Sequence, residues 1–192
     1  MPADFFRRKV MSKSKNKILT LCEGAICIAM AWALSYIELD IAWLQGGSIG
    51  VTMIPLFIFA MRRGAGWGVL AGFVFGTIKL LVGGHTVTWE SIVFDYSIAY
   101  AMVGLSGLFK GKNKWFWSVL IGGLARFTMH FISGFTIYAE WMPEKFMGLN
   151  MSSPFIYSFL YNGAYMFTSM IICMLILYFI TKNKGIKKFI NE

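Results

Sequence analysis

The sequence predicts an all-α integral membrane protein, a bundle of six transmembrane helices with both termini cytoplasmic. Three observations carry that reading. The 192 residues are 57% hydrophobic and only 14% charged, with a mean hydropathy of +0.63, too apolar for a soluble domain. The apolar residues gather into runs close to the roughly 20 residues that cross about 30 Å of hydrocarbon. The basic residues sit almost entirely in alternate connections between those runs. Nothing divides the chain, so residues 1–192 read as one membrane domain: a basic segment 1–17, six helices within about 18–181, and a basic tail 182–192.

The six segments are Ile18 to Ile37, Ile49 to Met61, Ala65 to Val82, Ser91 to Phe109, Trp115 to Tyr138 and Pro154 to Thr181. The second is short and carries Pro55, so a kinked or partly spanning helix is expected there. Arg7, Arg8, Lys9, Lys13, Lys15 and Lys17 precede the first segment. Arg62 and Arg63 follow the second, and Lys110, Lys112 and Lys114 follow the fourth. Lys182, Lys184, Lys187 and Lys188 follow the sixth. The other three connections hold Lys145 alone, with Glu38, Asp40, Glu90, Glu140 and Glu144. This bias places both ends of the chain in the cytoplasm.

The net charge of +9 is spread as punctuation between apolar runs, not along one face, and no nucleic-acid-binding motif is present. Cys22, Cys27 and Cys173 lie in apolar runs without metal-ligand or disulfide spacing. No A-x-A-like cleavage site follows the first apolar run, which reads as a retained helix. Without a G-x-x-x-x-G-K-[ST] loop the chain has no means of using ATP itself. No HExxH, GxSxG or paired intramembrane carboxylate points to hydrolysis, so no catalytic or metal-binding residues are assigned.

Ionisable residues within apolar segments mark sites. At about 1.5 Å rise per residue, Asp95 lies about 6 Å below the outer end of its segment, and His130 and Asn162 each about 12 Å below theirs. Lys79 lies three residues from the outer end of the third segment, and Tyr157 sits above Asn162. These groups gather in the outer half of the bilayer, with Arg126, one turn inward of His130, at the floor. Two readings stay open for Lys79, neutralising Asp95 or snorkelling to the interface. Arg126 can brace helices through backbone carbonyls or face the pocket. Tyr138, Trp141 and Tyr157 fit either a binding pocket or an interfacial aromatic belt. Glu23, near the cytoplasmic end of the first helix, reads as structural. Ala25, Ala29 and Ala33 form a small-residue face on the first helix, suited equally to internal packing or to a partner helix.

The stretches MRRGAGWGVLAGFVFG, FDYSIAYAMVGLSGLFK, RFTMHFISGF with YAEWMPE, and YSFLYNGAYM resemble the thiamine-specific S-components of energy-coupling factor (ECF) vitamin transporters, over about Glu23 to Tyr178. The resemblance implies six helices in a bacterial cell membrane, a vitamin bound near the outer surface, and no enzymatic activity. It implies as partners a transmembrane coupling subunit and two cytoplasmic ATPases, so that thiamine is the bound substrate and no cofactor is required. It places the binding carboxylate on Asp95, where relatives often carry glutamate, and a neighbouring tyrosine on Tyr96. The histidine falls on His130, a stacking aromatic on Tyr138, and a final pair on Tyr157 and Asn162. Trp43 is the candidate lid residue, and Ala25 and Ala29 match the face that docks the coupling subunit.

The chemistry is coherent. Thiamine has a fixed positive thiazolium and an aminopyrimidine with donors and acceptors. A desolvated cation needs a carboxylate or aromatic faces, worth about 0.5–2 kcal/mol each. Two other functions remain open from the residues alone: a proton-coupled carrier relaying through Asp95 and His130, and a membrane enzyme acting on a lipid head group. An S-component for a different vitamin is a further alternative.

Overall fold

The structure, a computed structural model, describes residues 2–40, 47–83, 89–109 and 114–191. Trp43, the expected lid residue, lies outside the described residues. Helix α1 spans Pro2–Ser35, α2 Met53–Arg63 and α3 Ala65–Gly83. The fourth segment, 89–108, is composite: α4 (Trp89–Ser91), a π-helical stretch Ile92–Ile98, α5 (Ala99–Val103) and a 3-10 stretch Gly104–Leu108. Then come α6 (Trp115–Thr136), α7 (Pro154–Lys182) and α8 (Lys184–Asn191). Two short antiparallel hairpins, β1 (Leu39–Asp40) with β2 (Ser48–Ile49) and β3 (Lys145–Phe146) with β4 (Leu149–Asn150), lie between helices at one end of the bundle.

Among the described residues, four helices are long and apolar enough to cross a membrane: Lys15–Ser35 within α1, then α3, α6 and α7. The fourth segment is shorter, and α2 has only 11 residues. Two boundaries depart from the sequence reading. No glycine or proline interrupts residues 3–23, so α1 begins at Pro2, where a proline fits the first turn, and the basic segment is helical. The tail forms α8, whose Ile186, Phe189 and Ile190 share a face at helical spacing. At the far end of α6, Tyr138 falls just beyond Thr136, in the turn before a 3-10 stretch, Ala139–Trp141.

Helix α2 is the centre of the core. Met53, Leu56, Phe57, Phe59 and Ala60 are all almost wholly buried, packed with Phe75, Tyr100, Val119, Cys173 and Leu177 from the surrounding helices. Eleven residues reach about 16 Å, half the length of the 22-residue α6. The bundle axis beyond the α2 N-terminus is therefore not filled by this helix. A single glycine, Gly64 at φ 94°, joins α2 to α3, a conformation side-chain-bearing residues rarely adopt.

Helix α3 meets the fourth segment at van der Waals distance along Gly68, Gly72 and Gly76, one per turn. A Cβ on Gly72 would strike the Tyr100 carbonyl, and one on Gly76 the Tyr96 carbonyl. Small residues at this spacing let two membrane helices approach closely. On the other side, Phe127 and Phe131 of α6 interleave with Phe155, Phe159 and Phe167 of α7, with centroid separations of 4.8–6.2 Å. These contacts fix the walls around the open axis.

Glu23 accepts hydrogen bonds from Arg62 and Arg63, at 3.1 and 2.5 Å for the two Nε atoms, tying α1 to the basic end of α2. Arg62 also bonds the Phe189 carbonyl and stacks 4.0 Å over the Phe189 ring, which docks α8. Glu23 is structural, as its position implies.

Candidate binding site

Above the N-terminus of α2 lies a cavity of about 580 Å³. Its wall includes Asp95, Tyr96, His130, Tyr138, Tyr157 and Asn162, so all the sequence-assigned binding residues that are described converge on one space. Lys79, Arg126 and Trp141 line it as well. The volume falls within the range of about 300–1,000 Å³ usual for small-molecule pockets.

The π-helical stretch carries Asp95 and Tyr96 into the cavity. Widened turns of this kind are rare and occur often at functional sites. Asp95 Oδ1 lies 3.2 Å from His130 Nδ1, and Ser133 donates to Oδ2 at 3.0 Å. With Asp95 as the acceptor, the proton of this contact sits on Nδ1. His130 Nε2 is buried with no hydrogen-bond partner among the described residues. His130 and Ser133 lie three apart on α6, so one helix face presents both donors.

Helix α7 supplies a second polar face. Asn162 Nδ2 donates to the Ser158 carbonyl at 3.0 Å and the His130 carbonyl at 3.2 Å, while Tyr165 donates to Asn162 Oδ1 at 2.7 Å. The amide thus has both donors engaged, and what it still offers is one acceptor lone pair on Oδ1. Tyr157, Tyr161 and Tyr165 recur at four-residue spacing with ring centroids 5.6 and 5.7 Å apart. Tyr138 and Trp141, both in the cavity wall, pack with ring centroids 6.1 Å apart.

Lys79 does not neutralise Asp95. Its Nζ lies 2.8 Å from Glu38 Oε2 and 3.2 Å from the Tyr100 hydroxyl. Glu38 also accepts from Ser48 at 2.8 Å and from Thr52, which anchors the β1–β2 hairpin to the start of α2. Burial alone would push the Glu38 carboxyl up, but the Lys79 ammonium and the two hydroxyls hold it below its ordinary range. Arg126 does not brace carbonyls: its guanidinium stacks 4.0 Å over the Tyr100 ring, and its Nε has no hydrogen-bond partner among the described residues. Ala25, Ala29 and Ala33 face outward and exposed, so internal packing does not account for them.

The family described as thiamine transporter protein (Thia_YuaJ) matches residues 21–189. The chain belongs to this family. Two curated members are similar over most of their length. The thiamine transporter ThiT of Bacillus subtilis (strain 168) is 32% identical over 186 residues, 87% of this chain and 92% of its own. That of Lacticaseibacillus paracasei is 29% identical over 166 residues, 77% and 79% of the two chains. The solved structure of ThiT from Listeria monocytogenes shares the fold with a TM-score of 0.78 at 24% identity, covering 89% of this chain and 98% of that one.

Several residues around this family member's cavity escape a reading by depth and charge. Ser133 and Tyr161 are uncharged, but both follow at helical spacing from residues already assigned, three after His130 and four after Tyr157. Glu38 is an acid in a connection, with no sequence signal that it folds back onto Lys79. The Gly68, Gly72, Gly76 ridge is visible as a four-residue glycine repeat.

Proposed function

We propose that this protein captures thiamine at the outer face of a bacterial cell membrane, as the substrate-binding S-component of an ATP-driven ECF transporter. In this reading the six segments lie in the bilayer, α2 and the fourth segment partly so, with both termini cytoplasmic. The hairpin end that carries the cavity then faces outward. The observation that carries the proposal is the Asp95–His130 pair, 3.2 Å apart on facing segments and opening onto an aromatic-walled cavity. A carboxylate that accepts from an imidazole and a hydroxyl, with no lysine or arginine beside it among the described residues, is available to a ligand cation such as the thiazolium. Tyr138 and Tyr157, with Tyr96, offer ring faces to the same cation. His130 and the free Oδ1 lone pair of Asn162 offer polar contacts to an aminopyrimidine edge.

The protein binds and releases without changing its substrate, requires no cofactor, and leaves ATP hydrolysis to two partner ATPases acting through a coupling subunit. The outward alanines at positions 25 and 29 supply a surface for that subunit. Titrating the purified protein with a panel of vitamins while following tryptophan fluorescence tests the substrate. Saturation by thiamine is expected; saturation by riboflavin or biotin with no response to thiamine overturns it. Uptake into vesicles tests the energy source: accumulation driven by an ion gradient without the ATPases would replace the S-component reading by a carrier.

A further inference from the structure

A row of rings marks one level of the bundle, at the end far from the cavity. Trp115 at the start of α6 packs 6.1 Å from Tyr178 near the end of α7, and Phe116 and Trp117 continue the row at 6.1 and 5.6 Å. Lys182 Nζ lies 4.5 Å over Tyr178 and 5.5 Å over Phe179. Tryptophan and tyrosine rings, with lysines laid along them, collect where hydrocarbon meets the lipid head groups. From Pro154 to Tyr178 α7 rises about 36 Å, slightly more than the roughly 30 Å of hydrocarbon, so length sets the same boundary.

Helix α8 starts at this level and in a new direction. Asn183 leaves the helical region at ψ 119°, and its Oδ1 accepts from the Gly185 and Ile186 amides at 2.9 and 3.3 Å, an N-cap that restarts the helix. Lys184, Lys187 and Lys188 fall on one face, and Ile186, Phe189 and Ile190 on the opposite one. Ile190 is buried, and Arg62 holds Phe189 by its carbonyl and its ring, yet Ile186 and Phe189 stay 39% and 46% exposed. The helices packed together here, α2, α7 and α8, contain no acidic residue, and Glu23 of α1 is shared by Arg62 and Arg63.

We propose that α8 is an interfacial helix that binds anionic phospholipid: its lysine face takes the phosphate head groups, and Ile186 and Phe189 enter the acyl boundary. A short helix with a lysine face opposite an exposed apolar edge, at head-group level, has the form that lies in the membrane surface, and juxtamembrane lysines are drawn to anionic lipid. Arg62 bonds both Phe189 and Glu23, so lipid held at α8 also secures the contact of α1 with α2 and stabilises the bundle. The inference goes beyond the thiamine reading and needs only that the chain lies in a bilayer.

The test uses the full chain in detergent, titrated with phosphatidylglycerol or phosphatidylcholine while the thermal midpoint is followed. Phosphatidylglycerol alone should raise the midpoint of wild type, and high salt should remove the shift. The triple variant Lys184→Gln, Lys187→Gln, Lys188→Gln should need about tenfold more of it or beyond, since each lysine near an anionic surface contributes roughly fivefold. Lys13→Gln, Lys15→Gln, Lys17→Gln removes the same charge from α1 and should shift the titration far less. Equal shifts for the two triple variants, or no effect of phosphatidylglycerol on wild type, overturn the proposal. Amide hydrogen exchange in nanodiscs gives the local readout and needs no variant that folds: residues 184–191 of wild type should exchange more slowly in phosphatidylglycerol than in phosphatidylcholine. Protection confined to other segments would overturn the assignment to α8. An α8 indifferent to lipid, whose triple variant nonetheless loses ATP-driven uptake, would give the face to a partner subunit instead. Thiamine enters none of the lipid measurements, so their outcome and that of the vitamin titration are independent.

Discussion

Lys79 reaches Glu38, not Asp95: the ammonium lies 2.8 Å from Glu38 Oε2, and Glu38 in turn accepts from Ser48 and Thr52. One carboxylate thus ties the β1–β2 hairpin to α2 and α3, and the other has no side-chain cation beside it among the described residues. The two acids lining the cavity are set apart by their partners, and each supports a different prediction.

For Glu38 the prediction concerns pH. Its folded value lies below the ordinary 4.5, and the Lys79 ammonium and two hydroxyls outweigh burial. A carboxyl lowered on folding contributes stability that is fully present above its unfolded value and lost as pH falls through the folded value. Glu38→Gln should therefore lower the thermal midpoint at neutral pH by removing a charged hydrogen-bond acceptor, at a cost of about 1.5–3 kcal/mol. The gap between wild type and variant should close as pH falls below 4.5. Melting curves in detergent across that window check it, and a gap that stays constant would place the stabilisation elsewhere.

Gly76 carries the second prediction. An added methyl would meet the Tyr96 carbonyl carbon at 2.8 Å and Ser97 Cα at 3.1 Å, both backbone atoms that no rotamer change can move. Gly76→Ala should cost roughly 1–3 kcal/mol, the usual range for overpacking. It should also weaken ligand binding, because the displaced backbone is next to Asp95. Gly66→Ala is the control, since a methyl there meets nothing within 4 Å. Equal melting temperatures for the two variants would show that α3 and the fourth segment are not locked by the glycine ridge.

The third prediction follows from the outward face of α1. Ala29 is exposed in the isolated protein, so Ala29→Trp should fold normally and bind thiamine with unchanged affinity. If this face docks the coupling subunit, ATP-driven uptake by the assembled transporter should be lost. Undiminished uptake would assign the face to lipid.

The helices and the polar cluster were legible because membrane depth is linear in sequence: eight residues from a segment end is about 12 Å wherever the segment lies. That places His130 and Asn162 at one level without any contact being known. Partner choice was not legible. Glu38 sits in a connection whose return path depends on a hairpin, so nothing in the sequence favours Lys79–Glu38 over Lys79–Asp95. The outward aim of Ala29 and the stacking of Arg126 on Tyr100 likewise depend on helix rotation, which a run of apolar residues on every face does not reveal. The length of α2 was partly legible through Pro55, but not its consequence, that a short central helix leaves room for the cavity above it.

Asp95 is the sharpest test of mechanism. Its carboxylate accepts from His130 at 3.2 Å and Ser133 at 3.0 Å and is paired with no lysine or arginine among the described residues. Asp95→Asn keeps the shape and removes the charge. A hydrogen bond involving a charged group contributes about 1.5–3 kcal/mol against about 1 for a neutral one, so thiamine affinity should fall by roughly two- to thirtyfold, at about 1.4 kcal/mol per tenfold. Because Lys79 is engaged by Glu38, it does not compete with the ligand cation in the empty site, and the loss should appear in full. An analogue with a neutral ring in place of the thiazolium separates charge from shape. Its affinity for Asp95→Asn should drop far less than that of thiamine. The amide has a further local effect: it can turn its NH₂ toward His130, whose Nδ1 must then give up its proton to Nε2. Equal losses for thiamine and the neutral analogue would show that Asp95 holds His130 in place and does not balance the cation.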